Sequence, residues 1–466
     1  MQCSKDHKEP HTVHQISNFR MRIIAAFALI FLTACSGGDQ IRLITLDPGH
    51  FHAALVQKTM YPGIDSKVSV YGPKSADLDA HLNRIETYNQ RSKFPTSWEM
   101  NVYDQQDYFS KFLNEKPGGV VVLSGNNKKK TRYILKAIEN GFHVYADKPM
   151  VINPEEFEDL EKAFEIANEK KLLLYDIMTE RSEITTVLQK ELAQDKNVFG
   201  SLLEGNLKQP AIVKSSVHHF AKEVSGKPLI RPAWFFDTQQ QGEGLVDVSA
   251  HLVDLTFWEC FPQQAIQRED IHIEKVQRWT TALSPINFKK VTGLTSYPEF
   301  LLPYLKNDSL FVYANGAINY TLKGHHAKVE VLWDFEAPKG AGDTHYSIMR
   351  GTKSDLEILQ TETENFIPTL YLKPKENFDI IFFKSTMKGL AIKYPGLDWK
   401  KKGENFEILI PSSLREGHEA HFAQVTNRFI SFYKNQKLPD WERTNMLTKY
   451  YLTTTALANA KKGISP

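Results

Sequence analysis

Between residues 41 and 176, short apolar runs alternate with segments whose apolar residues recur every three or four positions. The apolar runs are uniformly hydrophobic and end in turn residues, as strands do when both faces of their sheet are covered. These predicted strands lie at 41–46, 67–71, 119–124, 142–146 and 171–176. The segments between them predict helices at 53–58, 76–91, 131–140 and 154–169. The alternation predicts a doubly wound α/β domain built on a parallel sheet.

Beyond residue 180 the strand-like runs follow one another more closely and are joined by loops rich in Gly, Pro and Asn. They lie at 199–207, 271–279, 309–314, 317–323 and 326–334. Asn315-Gly316 between two of these runs predicts the turn of a hairpin. Helices are predicted at 417–433 and 441–462. We therefore expect residues 179–466 to form an α+β domain with a large, mostly antiparallel open sheet, whose open face offers a surface for a homo-oligomer.

The N-terminal segment resembles an export signal. An apolar run of twelve residues, 23–34, follows Arg20 and Arg22. A helix of that length is too short to cross a hydrocarbon layer of about 30 Å, so the run predicts a signal sequence over residues 1–34. The run ends in Leu-Thr-Ala-Cys, which looks like a bacterial lipobox and predicts lipidation of Cys35. Residues 35–40 would then tether an exported, membrane-anchored lipoprotein that faces the periplasm.

Charge and cysteine content exclude some classes of function. Lys and Arg number 57 and Asp and Glu number 55, a net charge of +2, so the chain has no global field that would hold a nucleic acid. No Cys-x-x-Cys motif occurs, and the histidine pairs at 218–219 and 325–326 lack helical metal spacing. No metal site is predicted from these patterns.

The strand, turn and helix at 41–58 form the context of a dinucleotide fingerprint, in which glycines let the backbone approach a pyrophosphate. The three expected glycine positions are occupied here by Asp47, Gly49 and His52. A simple strand-to-helix turn is therefore an equal alternative. The acid expected after the second strand is replaced by Gly72, which leaves the choice between NAD and NADP open.

Two further segments carry candidate chemistry. Lys148 follows the fourth predicted strand, where a side chain faces the ligand crevice of a parallel sheet; a solvated turn lysine is the alternative. Asp247, His251 and Asp254 recur at i, i+4 and i+7, which predicts one face of a helix. A carboxylate and an imidazole one turn apart can share a proton or a substrate hydroxyl, whereas a salt-bridging surface would use the same spacing.

The segments 118–124, 141–149 and 244–254 occur in the order typical of one family, and the chain resembles the glucose–fructose oxidoreductase and inositol dehydrogenase (Gfo/Idh/MocA) family. Asp147 replaces the family's usual Glu before Lys-Pro, and Ser249 replaces a glycine. More narrowly, the segments 47–53 and 231–237 look like those of exported oxidoreductases with a C-terminal domain of their own. Some members of that subgroup are linked to oxidation of sugars at the 3-hydroxyl.

The resemblance implies a Rossmann-like domain over residues 41–178 and an NAD(P)-dependent oxidoreductase of a sugar or glycoside, with NAD, or NADP, tightly bound. It implies that His251 acts as the base, Asp247 orients the substrate and Lys148 stabilises the alkoxide. The implied cofactor contacts are Asp47, Gly49, His50, Phe51, Ser124, Asn126, Asp147 and Lys148. The candidate sugar contacts are His218, His219, Lys227, Arg231 and Trp234. Two alternatives stay open: an NAD-dependent glycosidase or lyase that oxidises its substrate transiently, and a non-catalytic sugar-binding lipoprotein.

Overall fold

The computed structural model describes residues 40–224 and 227–463, without the side chains of Val224 and Lys227. The predicted signal sequence, Cys35 and nearly all of the predicted tether lie outside the described residues. Among the helices that are described, none is both long and apolar enough to cross a membrane.

The N-terminal part forms a six-stranded parallel sheet in the order β3-β2-β1-β4-β5-β6, which confirms the predicted fold class. Its strands are β1 Ile41–Leu46, β2 Ile64–Tyr71, β3 Glu99–Tyr103, β4 Val120–Leu123, β5 His143–Asp147 and β6 Leu174–Ile177. Its helices are α1 His52–Leu55, α2 Ala76–Gln90, α3 Tyr108–Leu113, α4 Lys130–Glu139 and α5 Phe157–Glu169. Because the strand order reverses between β1 and β4, the carboxyl ends of these strands open a crevice there.

The second part is a large, mostly antiparallel sheet in the order β10-β12-β13-β7-β14-β15-β16-β18-β17, with β7 and β13 parallel. The strands that build it are β7 Ile212–Ala221, β10 Ile271–Leu283, β11 Leu305–Lys306, β12 Ser309–Leu322, β13 His325–Glu336, β14 Thr344–Arg350, β15 Ser354–Leu359, β16 Thr369–Pro374, β17 Asp398–Lys402 and β18 Asn405–Leu409. A short ribbon pairs β8 Glu223–Val224 with β9 Lys227–Pro228. The remaining helices are α6 Ile184–Ala193, α7 Ser249–Cys260, α8 Pro285–Thr292, α9 Ile380–Lys393, α10 His418–Asn435 and α11 Asp440–Lys462. Helices α6, α7 and α11 pack on this sheet.

The predicted hairpin turn at Asn315-Gly316 is wrong, because β12 runs through it as one continuous strand. The Asn315 side chain lies in the ladder, where its Oδ1 accepts a hydrogen bond from the Trp333 backbone N–H at 2.7 Å. A Cβ on Gly316 would stand 2.5 Å from a methyl group of Leu245. The Asn-Gly pair therefore marks an irregularity of the ladder and a close approach of the segment before α7. Residues 199–207, also predicted as a strand, form a loop with isolated bridges.

The C-terminal helices return to the parallel sheet. Helix α10 inserts Phe422 and Phe429 into its core, where the Phe429 ring stacks on Tyr145 at 4.6 Å between centroids. Helix α11 contributes Tyr450 to that first core and Leu457 to the core of the second sheet. Residues beyond 179 thus pack into both cores, and α11 fixes the two sheets relative to one another.

Candidate active site

The loops that follow β1 and β4 touch one another at the crevice. The backbone N–H groups of Gly49 and His50 both donate to the Ser124 carbonyl oxygen, at 3.1 and 3.3 Å. A Cβ on Gly125 would lie 2.3 Å from the Asp47 carbonyl oxygen, whereas one on Gly49 would meet its neighbours at 3.4 Å. Gly125 is therefore the position that requires glycine, and the two amides of the β1 loop are already used within the protein.

Asp77 stands beside this loop, in the first turn of α2. Its Oδ2 would be 3.4 Å from a Cβ on Gly49, and it accepts a hydrogen bond from Trp234 Nε1 at 2.8 Å. Asp77, five residues beyond Gly72, is thus a carboxylate close to the β1 loop. Trp234 thereby ties the second domain to α2, and its predicted sugar contact stays a prediction.

A cavity of about 390 Å³ opens next to the same loop. Phe51, Asp77, His81 and Ile230 contribute to its wall. His81 is 3% exposed, and neither of its ring nitrogens has a hydrogen-bond partner among the residues described. Burial lowers the pKa of His81 to about 4, so this imidazole is neutral and open to a ligand or water.

Asp147 at the end of β5 joins several polar side chains. Its Oδ2 accepts from Ser124 Oγ at 2.8 Å and from His52 Nδ1 at 2.9 Å, and lies 3.5 Å from His50 Nδ1. Burial alone would raise the pKa of Asp147, but His52 and His50 hold that pKa well below its usual value. Lys130 Nζ donates to the Asp147 carbonyl oxygen at 2.9 Å. The predicted cofactor residues Ser124, His50 and Asp147 are thus brought together.

Lys148 and Asp247, predicted to meet from two domains, are in direct contact. Lys148 Nζ donates to Asp247 Oδ1 at 2.6 Å, and Gln241 Nε2 donates to Asp247 Oδ2 at 2.9 Å. The predicted helix face is wrong in one respect, because α7 begins at Ser249 and Asp247 lies in the turn before it. The backbone of Gly244 packs against β12 in that turn, which delays the start of the helix.

His251 lies in the first turn of α7. Its Nδ1 is buried, and no residue of the described chain forms a hydrogen bond with it. Burial, and then the charge of Lys148, hold the pKa of His251 well below 6.5. The imidazole is therefore neutral at neutral pH and can accept a proton.

Asp343, which the sequence did not single out, organises the predicted sugar-binding histidines. Its carboxylate lies 3.1 Å from His218 Nδ1 and accepts the backbone N–H of His219 at 3.1 Å. Burial alone would raise the pKa of Asp343, but these histidines and Lys222 hold the pKa below its usual value. Burial, and then the charge of Glu183, raise the pKa of Glu180, which lies within electrostatic reach of both Lys148 and Asp343.

Comparison with known proteins decides the family. Residues 188–461 match the family "Putative oxidoreductase C terminal domain", and residues 75–175 match "Oxidoreductase family, NAD-binding Rossmann fold". The chain belongs to the Gfo/Idh/MocA oxidoreductase family. The resemblance seen in the sequence is confirmed at this level, while the lipoprotein subgroup stays a prediction.

Solved structures agree with this membership. The "putative oxidoreductase" of Parabacteroides merdae is 50% identical, over 91% of this chain and 98% of that chain, with a TM-score of 0.88. KijD10, a 3-ketoreductase from Actinomadura kijaniata seen with NADP and TDP-benzene, is 12% identical over 91% and 98% of the chains, with a TM-score of 0.53. Levoglucosan dehydrogenase is also 12% identical over 91% and 97%, with a TM-score of 0.56. The last two share the fold alone, and no curated protein sequence matches the chain significantly.

The family's NAD-binding fold implies a nicotinamide dinucleotide, and two observations fit that group. One is the cavity beside Gly49, whose wall includes the unpartnered His81. The other is the buried, unpartnered Nδ1 of His251, within electrostatic reach of Lys148. The amides of Gly49 and His50 are occupied, so other groups of this oxidoreductase would have to contact the pyrophosphate.

The other predicted contacts have mixed outcomes. Asn126 Nδ2 donates to Gln240 Oε1 at 2.7 Å and so joins the two domains. Arg231 is buried and donates to the carbonyl oxygens of Phe220 and His219, both at 2.9 Å. The Arg231 guanidinium thus holds the end of β7, and a sugar contact by this residue stays a prediction. The Lys227 side chain lies outside the described residues.

Proposed function

We propose that this protein transfers hydride between a secondary hydroxyl of a sugar or glycoside, at C3, and a tightly bound NAD or NADP. The observation that carries the proposal is the pairing of Lys148 with Asp247 beside a buried, neutral His251. Sugar chemistry is consistent with the fold's neighbours, among which are a 3-ketoreductase and a levoglucosan dehydrogenase.

The proposed chemistry divides among three side chains. His251 accepts the proton of the substrate hydroxyl, and burial keeps the imidazole unprotonated beforehand by holding its pKa well below 6.5. Asp247, fixed by Lys148 and Gln241, orients that hydroxyl and stabilises the imidazolium that forms. The Lys148 ammonium stabilises the negative charge that develops on the sugar oxygen. The dinucleotide, when bound, supplies the hydride acceptor.

Two measurements on the purified protein test the proposal. Mass spectrometry of the supernatant after heat denaturation should detect NAD or NADP. A panel of glucosides should give keto-sugars with the wild-type protein, and 3-deoxyglucosides should give none. The oxidoreductase proposal would be contradicted if no dinucleotide were released, added dinucleotide did not bind, and no glucoside were turned over.

One observation favours a second candidate, the non-catalytic sugar-binding protein. The amides of Gly49 and His50 are occupied by Ser124, so this loop lacks the free donors that a dinucleotide fingerprint supplies. Sugar binding in calorimetry without any dinucleotide binding would select this candidate. Release of a free aglycone without net reduction of cofactor would instead select a glycosidase or lyase.

We also propose that the protein is exported and anchored through lipidated Cys35, which rests on the lipobox-like run that ends there. Metabolic labelling with a radioactive fatty acid should mark the wild-type protein. Cys35→Ser with the signal sequence retained should lose the label. Equal labelling of both proteins would contradict the anchor.

A further inference from the structure

Three ligand-type side chains converge at the carboxyl ends of β1 and β5. One ligand atom from each of His50, His52 and Asp147 lies within 4.8 Å of the other two. His52 Nδ1 is 2.9 Å and His50 Nδ1 is 3.5 Å from Asp147 Oδ2. Atoms that bind one ion at about 2.0–2.2 Å stand roughly 3–4 Å apart, so these separations need little adjustment.

We propose that His50, His52 and Asp147 form a binding site for one divalent transition-metal ion of the Zn²⁺ or Co²⁺ type. Two imidazole nitrogens and one carboxylate oxygen are a donor set that such ions prefer, and three protein ligands leave coordination positions open. Lys148 lies within electrostatic reach of His50, so the site is close to the residues proposed for catalysis. The site shares His50 and Asp147 with the implied cofactor contacts, but ion binding does not require the proposed dehydrogenase activity.

The hydrogen bonds around the cluster support this assignment. The buried Nδ1 of His50 has no hydrogen-bond partner in the described chain, although it points to the Asp147 carboxylate. An ion between them would give that nitrogen a partner. Ser124 Oγ donates to Asp147 Oδ2 at 2.8 Å, as groups behind metal ligands do when they orient a carboxylate.

The wider surroundings favour imidazole-loving metals over hard cations. The His418 ring, at the start of α10, lies 5.1 Å from the His52 ring between centroids and adds a further imidazole to the neighbourhood. Lys130 and Lys148 lie nearby and oppose a dication, although Lys148 is already paired with a carboxylate. Because the set contains only one carboxylate, it should bind Mg²⁺ and Ca²⁺ weakly and Zn²⁺ or Co²⁺ more tightly.

Cobalt titration tests the site directly. Tag-free full-length protein is treated with chelator and titrated with Co²⁺, without sugar or dinucleotide. We expect a visible absorption band that saturates at one Co²⁺ per chain, is lost on adding Zn²⁺ and persists with Mg²⁺. His50→Gln should weaken Co²⁺ binding at least tenfold. Because the buried Nδ1 of His50 has no hydrogen-bond partner in the described chain, the thermal unfolding of this variant should be unchanged.

A matched control is available on the second sheet. His326 Nδ1 lies 2.9 Å from Glu274 Oε2, so it is also a histidine beside a carboxylate, but far from this cluster in the sequence. His326→Gln should bind Co²⁺ like the wild type. Absence of a saturable band, or equal affinity in His50→Gln and wild type, would overturn the metal site and leave a hydrogen-bonded His–Asp pair. Because neither dinucleotide nor sugar is present, failure of the oxidoreductase proposal would not alter this result.

Discussion

Two residues three positions apart on α7, Asp254 and His251, differ in how their polar atoms are satisfied. Asp254 accepts from Arg181 at 2.6 and 2.7 Å and from Lys449 at 2.9 Å. His251 has a buried Nδ1 with no partner among the described residues. The difference indicates that Asp254 stabilises the fold, whereas His251 has a polar atom that can still bind a ligand.

The contrast extends beyond the helix. Lys449 also contacts Asp176 at 2.6 Å, and Arg181 contacts Glu442 at 2.7 Å, so every charge in this interior network has an opposite charge beside it. The network joins β6, α7 and α11 through side chains that are at most 3% exposed. By contrast, several buried imidazole nitrogens have no hydrogen-bond partner among the described residues. They belong to His50, His81, His219, His251 and His345.

Removing the unpartnered imidazole of His251 should have the largest effect of the variants considered, and it should change turnover alone. We expect His251→Ala to lower turnover about a hundred- to ten-thousandfold, as loss of a general base does. Dinucleotide affinity and thermal unfolding should hardly change, because His251 supports neither. Steady-state oxidation of glucosides, dinucleotide titration and thermal melts measure the three quantities.

The double variant Lys148→Ala/His251→Ala sharpens this result, because groups that act as one proton-transfer unit have non-additive effects. The double variant should lose little more turnover than His251→Ala. His272→Ala, an exposed histidine on β10, is the control and should keep full activity. Comparable turnover of His251→Ala and wild type would remove His251 from the mechanism.

Disrupting the buried ion-pair network of Arg181, Lys449 and their carboxylate partners should instead destabilise the fold. Lys449→Met keeps the volume of a side chain that is fully buried but leaves Asp176 without its cation and Asp254 with Arg181 alone. Removing one partner of a buried ion pair costs about 3–5 kcal/mol of unfolding free energy. Urea unfolding measures the loss.

Lys462→Met, an exposed lysine on the same helix, should change the unfolding free energy by less than about 0.5 kcal/mol. If Lys449→Met lost turnover without losing stability, the ion-pair network around Lys449 could no longer be distinguished in role from the residues around His251.

Acid should act on buried histidines of the N-terminal domain. Burial lowers the pKa of His81 and of His143 to about 4, while the unfolded chain titrates near 6.5. Above pH 6.5 neither state takes up the proton, so stability is unaffected. Between pH 6.5 and 4 only the unfolded state binds it, so each histidine removes up to about 1.4 kcal/mol per pH unit. Urea unfolding at pH 7.5 and 5 should show the loss, and His81→Phe should lessen the slope; an equal slope would contradict the assignment.

The sequence predicted the buried part of the fold well. Strands β1, β4 and β5 are mostly apolar and almost entirely buried because helices cover both faces of the sheet, and such runs are visible without tertiary information. Strand β3 was missed because it lies at the sheet edge and is mostly exposed, which removes the apolar signal. The hairpin turn predicted at Asn315-Gly316 was wrong because a strand irregularity and a close packing contact favour the same residue types as a tight turn.

Sequence motifs indicated Lys148, Asp247 and His251, and the structure brings Lys148 and Asp247 into contact, while the catalytic roles of the three stay predictions. Asp77, Glu180 and Asp343 were missed because each acts through neighbours that are distant in sequence. Asp343 meets its histidine partner 125 residues away, across the second sheet. Spacing along one chain contains no signal for such pairs.

The smallest predicted effect concerns Trp234, whose role separates a structural contact from a sugar platform. Its Nε1 donates to Asp77 Oδ2 at 2.8 Å and its ring packs against the second core. Trp234→Phe keeps the apolar packing and removes one hydrogen bond, so unfolding free energy should fall by about 1 kcal/mol. In an Asp77→Ala background the same change should cost almost nothing, because its partner is already gone. If Trp234 were a sugar platform, the variant would instead raise KM for glucosides and leave urea unfolding unchanged.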